Sequence, residues 1–412
     1  MNDLFAEALG LNAPWFIESI TFDAEHKRLD IHVDFQRGAR FHFSDTEADI
    51  DGDYPAYDTV EKTWRHLNFF EHECYLHAFV PRLDTPVGKR LLSPPWAGRV
   101  AGFTMLFEAL LVQLATHMSV HALSRMTNVS DYKLWLLLER YVDAAREHLD
   151  CSDLTDIGVD ETSLKRGHNY MTLVVDLKRK RTLYVTEGRD ASTIERSAAD
   201  LTQHNGSVES IDNVSADMSP AFAKGVTAHL PNAALTFDRF HVLKLVNEAV
   251  DAVRRWEARS NPLLKKKRYL FLKNWENLSE DQQRELEALE LPSRKLKTVR
   301  ALHLRESFQD IYEADTPAEF EALLKKWYRW ATHARLEPFT KLAATIKKHW
   351  DGIVRYKRSK ITNGILEGFN SIVQAAKRKA RGYRLPKTFA IMVYLLTGKL
   401  DFSRVNRHIL PT

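Results

Sequence analysis

Residues 157–176 read IGVDETSLKRGHNYMTLVVD and contain two strand-like segments separated by a polar turn. A third strand-like segment, RTLYVTEG, follows, and helix-like and strand-like segments then alternate as far as a helix that begins at Phe240. Three hairpin-linked strands followed by alternating helices and strands predict a mixed sheet covered by helices. We therefore predict an α/β (α+β) core for residues 156–258.

Two acidic residues occupy related places on this predicted sheet. Asp160 lies on the first strand, and Asp217 lies at the end of the fourth, in the segment VESIDNVSAD. If these strands are neighbours, both carboxylates reach one edge of the sheet. Glu161 is a poorer candidate, because adjacent residues on a strand point to opposite faces.

A third acidic residue, Glu367, lies on a predicted amphipathic helix within TNGILEGFNSIVQAAKRKARGYR, residues 362–384. Counting by threes and fours separates a polar stripe from an apolar one. The polar stripe comprises Asn363, Glu367, Asn370, Gln374, Lys377 and Arg381, and the apolar stripe comprises Leu366, Phe369, Val373, Ala376 and Ala380. Packing the apolar stripe on the sheet leaves Glu367 near the sheet's edge. Gly382 is expected to end the helix.

We predict that Asp160, Asp217 and Glu367 are catalytic residues and the metal ligands of a single site. Magnesium prefers oxygen ligands and keeps part of its shell open for water and phosphate oxygens. Two such ions assist both the attacking and the departing oxygen of a phosphoryl displacement, so we expect two Mg (or Mn) ions. Each acid taken alone is more simply a surface charge. Three acids on suitable elements favour a metal site.

Asp238 and His241 are predicted to support this site. They lie where the strand-like AALTFD ends and the next helix begins. Two alternatives are open for Asp238, which either caps that helix or positions His241. His241 is a poor magnesium ligand because imidazole suits softer metals, and a role in orienting water or DNA is more natural.

The distribution of charge indicates a nucleic-acid partner, although the net charge of +4 does not. Residues 355–387 carry ten Lys or Arg and one acid, whereas residues 44–61 carry seven acids and no base. Basic side chains near a catalytic acid are suited to DNA phosphates. The predicted DNA-binding residues are Asn370, Lys377, Arg378, Lys379, Arg381, Arg384 and, on a separate helix, Lys133.

That separate helix belongs to a predicted helix-turn-helix. The segments SVHALSRM, TNV and SDYKLWLLLERYVDAA indicate a helix, a tight turn and a second helix. Asn128 suits a left-handed turn conformation and Ser130 is a good N-cap. The second helix, which carries Lys133, is the one offered to a DNA groove. An αα-hairpin without DNA contact is the alternative, since only Lys133 and Arg140 are basic on that helix.

Length and composition are those of a globular protein with several domains. The 412 residues are 44% hydrophobic, and the two cysteines, Cys74 and Cys151, fit a reducing cytoplasm. No signal peptide and no run of about 18 apolar residues is found, so we expect a cytoplasmic protein without a membrane partner. Short strands separated by polar turns are predicted across residues 15–83, and residues 261–347 are almost wholly helical.

Several blocks resemble the ISL3 family of bacterial insertion-sequence transposases: IGVDETSLKRGHNYMTLVVD, VSADMSPAFAKGV, LPNAALTFDRFHVLKLVNEAVD, TNGILEGFNSIVQAAKRKARGYR and the N-terminal YDTVEKTWRHLNFFEHECYLHAFVPR. The resemblance implies an RNase H-like core of the DDE superfamily, with Asp160, Asp217 and Glu367 as its catalytic triad. It also implies cleavage and strand transfer of double-stranded DNA, between terminal inverted repeats and target DNA. By analogy, the protein acts as a homo-oligomer and associates with the nucleoid when bound to DNA.

One region departs from the family pattern. Similar proteins carry a Cys-x-x-Cys pair before YDT and another after PR, whereas this chain has Thr85 and Gly88 at the second pair's positions. Such residues cannot form a thiolate cage, so zinc is not expected. The resemblance gives four parts: a β-rich module with a degenerate zinc-binding region (1–98), a helix-turn-helix DNA-binding domain (99–150), the catalytic core (151–258 and 348–400) and a helical insertion (259–347).

Two other functions fit the same fold. One is a DNA-binding repressor or domesticated transposase that no longer cuts, and the other is an RNase H-like nuclease that hydrolyses DNA without joining it. The presence of all three acids argues against the first. Only strand-transfer products separate the second from a transposase.

Overall fold

The computed structural model describes residues 2–165, 169–290, 295–359 and 364–410, which form two compact units. The N-terminal unit comprises Met1–Leu149, Ala376–Arg381 and Lys399–Thr412, and the core unit comprises Asp150–Ala375 and Gly382–Gly398. The four-part division remains a prediction, since each unit contains two of the predicted parts. None of the helices in the described ranges is both long and apolar enough to cross a membrane.

Strands dominate the start of the N-terminal unit, as the alternating sequence predicted. Helix α1 (Asn2–Ala8) precedes strands β1 (Trp15–Asp23), β2 (Arg28–Phe35), β3 (Arg40–Asp45), β4 (Ile50–Arg65), β5 (Glu73–Thr85) and β6 (Gly88–Leu91). Their order in the sheet is β1-β2-β5-β4-β3, with β6 beside β5. Alternate apolar residues such as Leu29, Ile31 and Val33 are buried in the core of this unit.

The acidic run, residues 44–61, forms a turn only at residues 46–49, so the prediction of polar turns between short strands was wrong for the rest of it. Most of the run belongs to β4, whose first half pairs with β3 and whose second half pairs with β5. The change of partner comes between Pro55, which lies opposite Arg40, and Ala56, which lies opposite Leu83. Most of β4 is exposed or only partly buried, so its sequence lacks the apolar alternation that reveals a strand.

The predicted helix-turn-helix is present in the N-terminal unit. Its helices are α2 (Met105–His117), α3 (Val120–Thr127) and α4 (Asp131–Arg146). Asn128 follows α3 in the left-handed conformation, with φ of 57°. The Ser130 hydroxyl caps α4 by accepting a hydrogen bond from the Lys133 amide at 3.4 Å. Both features confirm the sequence prediction.

A buried polar network holds this unit together. The Glu108 carboxylate accepts hydrogen bonds from the Val100 amide at 2.6 Å and from the Tyr141 hydroxyl at 2.7 Å. The Asn406 side-chain amide donates to the Tyr141 hydroxyl and to the Met105 carbonyl, both at 2.7 Å. Glu108 is fully buried, and desolvation raises its pKa. Residues near the end of the chain therefore complete the helix-turn-helix unit.

The core unit contains the predicted mixed sheet. Its elements are β7 (Asp156–Ser163), β8 (Tyr170–Asp176), β9 (Arg181–Glu187), α5 (Ala191–Gln203), β10 (Asn213–Ala216), α6 (Pro220–His229), β11 (Ala234–Phe237) and α7 (Arg239–Glu257). The strand order is β11-β10-β7-β8-β9, in which β10 runs parallel to both neighbours and the β7-β8-β9 pairs are antiparallel. Strand β10 is shorter than the predicted segment, which began at Val208.

Helices follow α7 as the sequence predicted. They are α8 (Arg268–Leu272), α9 (Glu280–Glu290), α10 (Lys297–Asp310), α11 (Pro317–His333), α12 (Glu337–Lys348) and α13 (Trp350–Ser359). One hydrophobic cluster runs from Phe237 to Val354 and includes the buried Trp327. The helices of the predicted insertion therefore share a core with α7 and α13.

Two more helices complete the described chain. Helix α14 (Gly364–Lys379) carries Glu367, while Asn363 lies outside the described residues. Helix α15 (Pro386–Thr397) packs on β9, where the Tyr394 hydroxyl accepts from the Val185 amide at 2.9 Å. The predicted helix end at Gly382 was late. Helix α14 ends at Lys379, and Arg381 adopts a positive φ (56°) before Gly382 does (98°).

Candidate active site

The pairing of β7 with β10 places two aspartates side by side. Asn213 lies opposite Asp156, and the next two pairs follow the same offset of 57 residues. Asp160 and Asp217 are also 57 residues apart. The same register, carried past the end of β10, therefore sets Asp217 opposite Asp160. The two strands are neighbours, which meets the condition stated for the sequence.

Helix α14 runs along β7 and contacts it at three successive positions. Leu366 packs against Gly158, the Asn370 side-chain amide donates to Asp160 Oδ2, and the Gln374 side-chain amide donates to Thr162 Oγ1 at 2.8 Å. Four residues of a helix span about 6 Å and two residues of a strand span about 6.8 Å. Every fourth residue of α14 therefore meets every second residue of β7. The helix that carries Glu367 is thereby fixed over the strand that carries Asp160.

Asp160 is held by donors on both oxygens. Its Oδ1 accepts from the Glu161 amide at 2.8 Å, and its Oδ2 accepts from Asn370. Burial raises the pKa of Asp160 to about 6, and the charge of Asp217 adds to this rise, against the hydrogen bonds and the charge of His241.

A histidine faces the two aspartates. His241 Nδ1 lies 2.9 Å from Oδ2 of Asp238, which is buried and makes no side-chain hydrogen bond to the first turn of α7. This geometry supports the positioning of His241 by Asp238 over the capping alternative. The hydrogen bond with Asp238 raises the pKa of His241, and the charges of Asp238, Asp160 and Asp217 act in the same direction. When protonated, the imidazole of His241 compensates part of the negative charge of the site.

Glu367 lies beside this group and is exposed. Partial desolvation and then the charge of Asp238 raise its pKa, while the charge of His241 lowers it. In the described ranges, no three His, Cys, Asp or Glu side chains lie close enough to hold a metal ion. The charge of Asp217 acts on Asp160, whereas Glu367 is influenced by Asp238 and His241. The assignment of all three acids as ligands stays a prediction.

The donors present nevertheless fit a hard divalent cation. The carboxylates of Asp160, Asp217 and Glu367 offer oxygen atoms only, as magnesium or manganese prefers. Asn370 Oδ1, next to Asp160, is buried and finds no hydrogen-bond partner among the described residues. Asp217 uses Oδ1 to accept from the Ser219 amide at 3.0 Å. An oxygen-rich site with a raised carboxyl pKa and a nearby unsatisfied oxygen is suited to such an ion.

Two models of known protein families match this chain. A family model described as a transposase, the DDE domain of family ISL3, matches residues 157–393, and a model described as the helix-turn-helix domain of transposase family ISL3 matches residues 92–142. The chain belongs to the ISL3 family of transposases. Membership confirms the predicted family, the α/β core and an enzyme that acts on DNA, and it does not favour a repressor or a nuclease.

Individual relatives agree with this membership. The transposase is 29% identical over 380 residues to the transposase for insertion sequence element IS1557 from two strains of Mycobacterium tuberculosis, covering 85% of this chain and 84% of the relative. It is 28% identical over 347 residues to the transposase for insertion sequence element IS1001 of Bordetella parapertussis, covering 82% and 84%. The family implies dependence on a divalent metal and binding to DNA.

The residues predicted to bind DNA fall into two groups. Most carry exposed side chains, namely Lys133, Arg378, Lys379, Arg381 and Arg384, and Lys377 is partly buried. Lys379 Nζ donates to the His117 carbonyl at 3.3 Å. Asn370 differs from these, because its amide binds Asp160. Its place on the same helical stripe as Glu367 was the signal in the sequence, but the partner of the amide was not predictable from that stripe.

Sequence reasoning missed part of the surroundings of the site. Glu161 forms an ion pair with Arg189 at 4.0 Å, and burial followed by the charge of Asp217 raises its pKa. Lys244 and His241 also act on this carboxyl group. Alternation on a strand predicts the face of Glu161, but it does not reveal charges that helices bring to that face. Glu161 is therefore electrostatically coupled to the site.

We expect Asn370→Ala to slow DNA cleavage by about 10- to 100-fold, the range found when a group that orients a metal ligand is lost. The variant removes a donor to Asp160, so the pKa of Asp160 rises further and the acidic limb of the pH–rate profile moves to higher pH. Ser371→Ala, an exposed neighbour on α14, is the matched control. A slower rate with an unmoved pH profile would contradict the positioning role of Asn370.

Proposed function

We propose that this transposase cuts DNA at the ends of an insertion sequence and joins it to target DNA with Asp160, Asp217 and Glu367 as metal ligands. The observation that supports the proposal is the β7–β10 register, which would bring Asp217 beside Asp160 if it continued two residues beyond its last pair, Ser215 with Gly158. When bound, two Mg²⁺ or Mn²⁺ ions supply activation of the attacking oxygen and stabilisation of the departing oxygen. Glu367 would complete the ligand set with the two aspartates.

The protein's own groups prepare the site for this chemistry. Asn370 and the Glu161 amide fix the orientation of the Asp160 carboxylate. The carboxylates of Asp238, Asp160 and Asp217 favour the protonated form of His241, which would offset part of their charge, and a bound cation would weaken this effect. Because Nδ1 is engaged by Asp238, His241 exchanges its proton at Nε2.

The proposed partner is double-stranded DNA, as terminal inverted repeats and as target. The exposed basic side chains at the end of α14 and just beyond it bind phosphates, and α4 of the helix-turn-helix, with Lys133 in its first turn, enters a groove. A homo-oligomer pairs two ends in this scheme. These roles extend the DNA binding that the family implies to named side chains.

A product assay tests the proposal. Full-length protein is incubated with Mg²⁺, a labelled fragment carrying one end of its insertion sequence, and a supercoiled target. We expect nicks at the end and labelled strand-transfer products, and we expect both to vanish with a chelator or with Glu367→Gln. Glu248→Gln, on α7, is the control that keeps activity. Nicks without joined products would indicate a nuclease, and binding without nicks would indicate a repressor.

A further inference from the structure

The core unit carries an exposed surface of cationic and aromatic side chains away from the acidic residues already described. It comprises Arg255, Trp256, Lys265, Lys266, Arg268 and Tyr269, all exposed, and is called the insertion surface below. Residues 254–275 include eight Lys or Arg and one acid. Trp256 is 54% exposed and Tyr269 is 64% exposed, although rings of this size are usually largely buried.

The buried carboxylate of Asp251 connects the α7 part of the insertion surface with its α8 part. Arg255 Nε lies 3.2 Å and Arg268 Nε 3.8 Å from Asp251 Oδ2, while Arg254 binds Asp251 Oδ1 at 2.7 Å. The end of α7 and the start of α8 therefore meet at Asp251, which places the rings that follow Arg255 and Arg268 on neighbouring parts of the surface. Three guanidinium groups around one carboxylate leave a net positive charge.

The acid within this segment does not face an incoming ligand. The Glu257 carboxylate accepts from the Lys297 and Thr298 amides at 2.8 and 2.7 Å and from the Thr298 hydroxyl at 2.7 Å, so it caps α10. Cations also lie against both rings. Lys297 Nζ is 4.1 Å from the centroid of Trp256, and the guanidinium carbon of Arg268 is 5.8 Å from that of Tyr269. The rings are thus bordered by positive charge.

We propose that the insertion surface binds unpaired DNA. Single strands expose both a phosphate backbone, which the cations attract, and the faces of bases, which stack on Trp256 and Tyr269. Duplex DNA satisfies the cations equally but keeps its bases stacked inside. The exposed rings therefore select single strands over duplexes. The proposal rests on residues outside the acidic site and does not depend on catalysis.

Binding to a short mixed-sequence oligonucleotide, single-stranded or as a duplex, is measured by fluorescence anisotropy with full-length protein and no divalent metal. We expect Trp256→Ala and Tyr269→Ala each to weaken single-strand binding about tenfold, as the loss of one stacked base does, with an unchanged salt dependence. Lys265→Ala with Lys266→Ala should instead flatten the salt slope by about 1.4, because each phosphate contact contributes about 0.7. Duplex binding should respond only to the lysine changes.

Matched variants separate stacking from folding. Trp256→Phe keeps a ring and should retain most of the single-strand affinity, and Trp330→Ala removes a tryptophan that is 40% exposed on α11 and should change nothing. If Trp256→Ala does not fold, Trp256→Phe and Tyr269→Ala carry the test. Wild-type affinity for single strands in Tyr269→Ala, or equal losses for single strands and duplexes in the ring variants, would overturn the proposal. Because no metal or cleavage is involved, either result is distinct from failure of the transposition chemistry.

Discussion

Asp160→Asn is expected to reduce DNA nicking at least about a thousand-fold while leaving DNA binding intact, because a metal ligand supplies several kcal/mol of transition-state stabilisation. The amide keeps the size of the carboxylate, and rotation of the Asn370 side chain would bring its unpartnered Oδ1 to the new donor. The change therefore removes charge with little strain. Gel-based cleavage and binding assays on the same DNA fragment measure the two effects separately.

Without metal, the melting temperature of Asp160→Asn relative to wild type is expected to depend on pH. Folding raises the pKa of Asp160 from about 4, the ordinary value for Asp, to about 6. The free energy of unfolding of wild type therefore falls as pH rises between these two values. Above the folded pKa the loss of stability is constant. Asp160→Asn avoids this cost, so it should melt above wild type at neutral pH and equally near pH 4. Mg²⁺ should stabilise wild type and have little effect on the variant.

Asp212→Asn is the matched control for both measurements. Asp212 is an exposed acid just before β10, at the opposite end of that strand from Asp217. Its change should affect neither nicking nor the Mg²⁺-dependent rise in melting temperature. Nicking by Asp160→Asn at the wild-type rate would reject the assignment of Asp160.

Gly158→Ala is expected to destabilise the protein by about 1–3 kcal/mol, the usual cost of overpacking a core. A Cβ at this position would lie 2.8 Å from Leu366 Cδ1 and 2.9 Å from Leu177 Cδ2. The side chains of Leu366 and Leu177 must then shift, and the part of this shift that moves α14 away from β7 disturbs the hydrogen bond of Asn370 with Asp160. Nicking should therefore fall even at temperatures where the variant is fully folded, as measured by cleavage rate and chemical denaturation.

Gly368→Ala gives the comparison on the helix side of this contact. A Cβ there meets no atom within 4 Å, and alanine is favoured over glycine inside a helix by about 0.5–1 kcal/mol. This variant should be slightly more stable than wild type and fully active. Equal behaviour of the two alanine variants would show that close packing of α14 on β7 does not hold the site.

The sequence predicted the parts of the fold that follow from local chemistry. Asn128 and Ser130 determine the turn and the cap of the helix-turn-helix through their own backbone and side-chain preferences, and both were predictable. The alternation of strands and helices allowed β7 and β10 to be neighbours but did not require it. Strand β4 was not predictable in the same way, because its pairing depends on backbone hydrogen bonds to β3 and β5 rather than on apolar residues.

In the candidate site, too, some features were predictable from local sequence and others depend on tertiary contacts. The three acids were identified from their elements and from the family pattern, and their joint role as ligands remains a prediction. The contact of Asn370 with Asp160 depends on the register of α14 on β7, which Gly158 and Leu366 determine through close packing. The coupling of Glu161 to Arg189 and Asp217 likewise arises from tertiary placement. The spacing of residues along the sequence does not determine such tertiary distances.

The buried network around Tyr141 has a consequence for biosynthesis. Asn406 supplies two hydrogen bonds to the helix-turn-helix unit, yet it is translated after the whole intervening core. Until Asn406 has been synthesised and has left the ribosome, the Tyr141 hydroxyl and the Met105 carbonyl lack this donor. Maturation of that unit therefore follows synthesis of the core, and products truncated before Asn406 lack these two stabilising contacts.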